Sequence, residues 1–112
     1  MSRYGKELLN LWVEDIERCG FIMEDGTATE VFNAHEDVRY GFRIRAEDLE
    51  TYSPRIKATW HTHPNNNPNL SVPDYFLFCQ LPQYDHVIIA QYSFRIYRAI
   101  GSRVLIIEND CI

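Results

Sequence analysis

The residues best suited to chemistry stand together in WHTHPNNNPNLSVPD, Trp60 to Asp74. Side chains alternate along a strand, so His61 and His63 share a face if residues 56–63 form one. Two imidazoles side by side at a strand's end make a Zn²⁺ site once a third ligand joins them. Pro64 lacks a backbone donor and ends regular pairing there. Farther on, Ser71 is a good N-cap, Pro73 fits a first helical turn, and Asp74 suits the positive end of a helix. Capping alone accounts for Ser71 and Asp74. A helix starting at Ser71 also aims Asp74 at the mouth of the loop, near the histidines. Two histidines and one carboxylate leave a fourth zinc position open, as catalytic rather than closed structural sites do.

His61-x-His63, seven residues, then Ser71-x-x-Asp74 resembles the motif of the JAMM metalloproteases, also called the MPN-plus or Mov34/JAB-like family, with every spacing intact. Trp60 and Pro64 on either side of the histidines are similar as well. That family also uses an upstream glutamate, often in a Glu-x-Cys-Gly setting at the end of its first helix. Glu17-Arg18-Cys19-Gly20 fits. Residue types alone do not separate Glu17 from Glu14, Asp15, Glu24 or Glu30; the resemblance selects Glu17. It implies that His61, His63 and Asp74 hold Zn²⁺, that Glu17 is the general base toward a water, and that Ser71 hydrogen-bonds the developing oxyanion. The implied activity is hydrolysis of a peptide or isopeptide bond, with a protein or peptide as substrate.

Val31-Phe32-Asn33 followed by Tyr40-Gly41-Phe42-Arg43-Ile44 resembles the small bacterial and phage branch, whose members occur in tail-tip assembly proteins. A phage-tail or ubiquitin-like partner follows from the resemblance, and a virion tail or host cytoplasm becomes a second location. The insertions with which eukaryotic deubiquitinases grip ubiquitin have no room in 112 residues, so ubiquitin-chain cleavage is not carried over. The competing reading is a non-catalytic zinc-binding structural or assembly protein of a phage tail. Zinc nucleobase deaminases carry His-x-Glu and a later Pro-Cys-x-x-Cys; neither occurs here.

Other reactive side chains have plainer readings. His35 sits beside Glu36 and Asp37 in a polar stretch and reads as exposed; His86 starts a strand and reads as structural. Cys19 could be a nucleophile with a histidine base, but a small buried thiol is the simpler role. Cys79 falls among Tyr75, Phe76 and Phe78 on the second helix and reads as core, as do Phe76, Tyr92, Phe94 and Tyr97. Cys111 belongs to the tail.

The elements that must position these residues follow from period and punctuation. Tyr4, Leu8, Leu11, Trp12 and Ile16 recur at helical spacing, predicting an amphipathic helix over 2–18 that ends at Gly20. Residues 20–24 and 27–33 read as strands around an Asp25-Gly26 hairpin turn. A strand is expected over 40–45, a short helix over 46–52 stopped by Ser53-Pro54, a strand over 56–63 and a helix over 71–81. Strands over 87–90, 94–100 and 104–108 complete the chain, the last two joined at Gly101-Ser102. This order predicts an α/β or α+β sandwich with a curved mixed sheet flanked by helices, JAMM- and cytidine-deaminase-like by the resemblance.

One domain fits residues 1–112. With 46% hydrophobic and 24% charged residues the chain is globular in composition. A net charge of −5 argues against nucleic acid or an anionic membrane as partner, and against a metal-dependent nuclease. Three widely spaced cysteines imply no disulfide framework. The polar N-terminus is unlike a signal peptide, and no apolar run reaches membrane-spanning length, so a cytoplasmic setting is expected.

Overall fold

A computed structural model describes residues 4–111. They form an α+β fold built on a six-stranded mixed sheet with two helices. The elements are a 3-10 helix at Lys6–Leu11, β1 (Cys19–Met23), β2 (Ala28–Val31), α1 (Ala46–Tyr52), a 3-10 turn at Ser53–Arg55, β3 (Ile56–Thr62), α2 (Val72–Gln80), β4 (Asp85–Ile89), β5 (Ser93–Ile100) and β6 (Arg103–Cys111). The strand order is β2-β1-β3-β4-β5-β6. Only β3 and β4 run parallel; every other neighbour is antiparallel. Parallel neighbours need a crossover, and here the crossover is the 63–71 loop plus α2.

β3 lies at the centre and is buried on both faces. On one face Ala58 and Trp60 join Ile22, Val87, Ile89, Phe94 and Ile96 under Leu8 and Trp12 of the N-terminal segment. On the other, Phe21, Val31, Ile56 and Tyr84 meet Leu49 and Tyr52 of α1. Phe78 of α2 packs on Ile88 and Tyr97. The sheet is thus covered by α1 and α2 on one side and by the N-terminal segment on the other. Among the described residues no helix is long and apolar enough to cross a membrane.

Two expected elements are absent. The predicted helix over 2–18 is a 3-10 helix at Lys6–Leu11 followed by irregular chain; residues 2–3 lie outside the described ones. Trp12 turns to extended backbone, and Asp15 has φ 78°, which no continuing helix tolerates. Long-range bonds compete with the helix there: the Trp12 indole donates to the His63 carbonyl (2.7 Å), and Arg18 donates to the Leu11 carbonyl (2.6 Å). The strand expected over 40–45 is reduced to one bridge between Asn33 and Ile44. Its Arg43 amide donates to the Asn33 side chain instead of to a neighbouring strand. Tyr92 and Phe76, expected in the core, are more than half exposed, whereas Phe94 and Tyr97 are buried. Cys111 ends β6 rather than trailing from it.

His86 is structural, as expected. It is fully buried and stacks on Phe78 at 4.3 Å. The Leu81 carbonyl can only accept, so His86 Nε2 carries the proton (2.8 Å) and Nδ1 accepts from the Thr59 hydroxyl (2.6 Å). Burial lowers its pKa to about 4 from 6.5. Between those values the unfolded chain holds a proton that the folded chain excludes. The contribution is therefore complete above pH 6.5 and lost as pH falls toward 4. Denaturant unfolding is expected to show about 2–3 kcal/mol of stability lost over that window on this account. His86→Gln, which keeps the donor to Leu81 but cannot titrate, should flatten that part of the curve. An unchanged slope in the variant would remove His86 as its cause.

Candidate metal centre

The centre sits beyond the C-terminal end of β3, where crevices form outside parallel strands. His61 occupies the buried penultimate position of β3, and its ring stacks on Phe42 at 4.0 Å. His63 lies just past the strand. The Ile89 carbonyl holds its amide (2.9 Å), and Trp12 holds its carbonyl. The loop that follows is tied by its own asparagines, which are used in turn. Asn65 Oδ1 accepts from the Asn67 amide, Asn67 Oδ1 from the Asn69 amide, and Asn66 Oδ1 from the Tyr92 amide. The Tyr97 hydroxyl closes it on the Pro68 carbonyl.

The loop delivers Asp74 at the start of α2. Ser71 is the N-cap of a full capping box: its Oγ accepts from the Asp74 amide (3.2 Å), and Asp74 Oδ2 accepts from the Ser71 amide (2.9 Å). The same carboxylate reaches the histidines. Oδ1 lies 3.2 Å from His61 Nε2, Oδ2 lies 3.2 Å from His63 Nε2, and the two Nε2 atoms are 3.2 Å apart. Donors about 2.0–2.1 Å from a tetrahedral ion stand about 3.3 Å from one another. His63 Nδ1 donates to the Asn67 carbonyl (2.9 Å), which leaves the Nε2 lone pair facing inward. Converging at that spacing, these three side chains could hold a divalent cation.

Without an ion the three groups shift one another. Burial lowers the pKa of His61 against the pull of Asp74. At His63 burial also opposes charge, but Asp74 and the Asn67 carbonyl outweigh it and raise the pKa. Burial would raise Asp74, yet His61, His63 and the Ser71 amide hold it far below the usual carboxylate range.

Glu17 is brought in from a distant part of the chain. Next to it, Arg18 and Thr62 exchange bonds: the Thr62 amide donates to the Arg18 carbonyl, and the Arg18 amide to Thr62 Oγ1. The Glu17 carboxyl lies within 4.8 Å of the ligand atoms of both His61 and His63, so by proximity it too could serve as third ligand. It forms no hydrogen bond among the described residues. Burial pushes its pKa up to about 7, with Asp74 adding and His63 opposing. The alternatives fall away: Glu14, Asp15 and Glu24 are exposed, and Glu30 pairs with Arg18 at 2.6 Å. Glu17 is not at a helix end, as the resemblance implied, but in irregular chain just before β1.

The chain matches no protein-family model and no curated protein. The functional reading therefore rests on the residues themselves.

Above the centre opens a cleft of about 350 Å³, with Glu17, His63 and Ser71 on its wall. A smaller hollow of about 70 Å³ adjoins it at Glu17 and Ser71 and reaches Asp74, Phe42 and His35. Ser71 Oγ accepts the cap bond while its own proton is free to donate into the cleft. A hollow of similar size, about 380 Å³, lies away from the centre at Asp25, Tyr52 and Arg55 and carries no histidine or cysteine. Cys19 is buried, and its thiol is pushed up to about 12, by burial and then by nearby carboxylates, so it is no nucleophile. Cys79 is half-buried against the Phe78 cluster.

Sequence reasoning missed Phe42 and Asn33, and it misplaced His35. The Asn33 side chain donates to the Glu17 and Gly41 carbonyls and accepts from the His35 and Arg43 amides. One amide thereby holds the whole wall opposite the histidines. No spacing signals such a role. His35 is half-buried on the hollow rather than exposed.

Proposed function

We propose that this chain is a zinc-dependent peptidase or isopeptidase of the JAMM type, with that family's cytidine-deaminase-like fold. The observation that carries the reading is the triangle of His61 Nε2, His63 Nε2 and the Asp74 carboxylate at 3.2 Å on each side, with the unbonded Glu17 carboxyl beside it. The mixed sheet, with ligands at the end of its central strand and the start of the crossover helix, supports the fold reading.

His61, His63 and Asp74 would hold the ion. Zinc bound there supplies Lewis acidity and brings the pKa of a water toward neutrality. Glu17 would take the proton from the attacking water and return it to the leaving amine; its carboxyl lies within 4.8 Å of both imidazole ligand atoms, in reach of that water. Ser71 donates its hydroxyl proton to the substrate carbonyl oxygen as charge develops there. A purely structural zinc site has no use for a half-buried, unbonded carboxyl, and this favours the enzyme over the phage-tail scaffold. The substrate is a peptide or isopeptide bond in a protein, with tail proteins and ubiquitin-like proteins as the partner classes to try.

The direct test is metal content. Protein prepared with zinc and dialysed should retain about one Zn²⁺ per chain by elemental analysis, as one three-ligand site requires. The double variant His61→Ala, His63→Ala should retain none. Background zinc in the wild type would end the proposal.

A further inference from the structure

We infer that His35 is a substrate-binding residue, which donates its Nε2 proton to a peptide carbonyl reaching into the hollow that adjoins the cleft; this rests on the peptidase reading above. Three observations converge. The Asp37 amide donates to His35 Nδ1 at 2.9 Å, so Nδ1 is the acceptor and the ring's proton sits on Nε2. Nε2 has no hydrogen-bond partner among the described residues, although the ring lines the same hollow as Glu17, Ser71 and Asp74. The ring is also held in place. The His35 amide donates to Asn33 Oδ1, and the ring lies over Gly41, where a Cβ would stand 2.7 Å from Nε2. A glycine at 41 leaves room for the imidazole in that position, on the wall of the hollow that Glu17 also lines.

Ser71, at the start of α2, and His35 both line the hollow. A peptide crossing between them meets two donors, one for the scissile carbonyl and one for a neighbouring carbonyl. His35 then acts on binding rather than on proton transfer.

Two substitutions separate this role from a purely structural one. His35→Gln places an N–H near the Nε2 position but leaves the Asp37 amide without its acceptor. His35→Asn does the reverse. Chemical-shift titration of each full-length, zinc-supplemented protein with N-acetyl-alanyl-alanine methylamide reads peptide binding without turnover. Wild type and His35→Gln are expected to bind within about threefold of each other, and His35→Asn about tenfold more weakly, the size of one hydrogen bond. Equal binding by His35→Asn and wild type would overturn the inference. So would His35→Gln binding as poorly as His35→Asn, or the absence of saturable binding by wild type. Zinc content is measured on the same samples. One zinc per chain without peptide binding would remove His35 and leave the metal reading standing; the expected binding pattern without zinc would keep His35 and remove the peptidase.

Discussion

Replacing Glu17 by Gln is expected to leave zinc in place and to reduce hydrolysis by a factor of ~10²–10⁴, the usual contribution of a positioned proton acceptor. Gln keeps the shape of the side chain and loses only the ability to take a proton. Two further results should accompany the lost rate. The variant should be at least as stable as wild type, because burial already disfavours the Glu17 carboxylate and no hydrogen bond is lost with it. Asp74→Asn should behave in the opposite way. It should lose zinc, since the Asp74 carboxylate faces both imidazoles, Oδ1 3.2 Å from His61 Nε2 and Oδ2 3.2 Å from His63 Nε2. Activity on a peptide-library substrate, zinc content and the urea midpoint measured on the three proteins together decide the roles. Zinc loss in Glu17→Gln would make Glu17 a ligand; undiminished activity would take it out of the mechanism.

Gly20→Ala is expected to cost about 3 kcal/mol or more of stability, at the upper end of what forced overpacking does. Gly20 lies in β1 between β2 and β3, opposite Glu30 and Trp60. A Cβ there would stand 2.0 Å from the Thr29 carbonyl oxygen and 2.9 Å from the Glu30 Cα. Both are backbone atoms, so no rotamer change relieves the clash, and β2 must move away. The Arg18 bridge to Glu30 and the Asn33 hub follow β2, so the Glu17 wall should loosen as well. A urea midpoint displaced by less than about 1 kcal/mol-equivalent would show that β2 yields easily and that the close approach is incidental.

What was legible in the sequence was whatever the chain settles locally. α1 covers 46–52 as its period and the Ser53-Pro54 stop indicate, and α2 begins where Ser71 and Asp74 cap it. The hairpin turns at Asp25-Gly26 and Gly101 with glycines at positive φ. His61, His63, Ser71 and Asp74 come together because one strand, one loop and one helix start lie in a single stretch. The illegible parts are those that distant bonds decide. Leu8, Leu11 and Trp12 keep helical spacing, yet Trp12 is drawn to a carbonyl 51 residues away. Residues 40–45 look like a strand, but they keep only one bridge, to Asn33, whose side chain takes the Arg43 amide. Glu17 reaches the site through Arg18 and Thr62, 44 residues apart, and no pattern around Glu17 encodes that pairing.

The double duty of Asp74 bears on how such a chain would drift. A lineage that abandoned catalysis would still be selected to keep Ser71 and Asp74, because they start α2. Phe42 and the Asn67 carbonyl would likewise go on packing and bonding His61 and His63. Glu17 has no such second employment: its carboxyl forms no hydrogen bond among the described residues and sits where burial disfavours its charge. Under the peptidase reading it is the first residue that relaxed selection would release, and its identity in related chains would mark those that keep the activity.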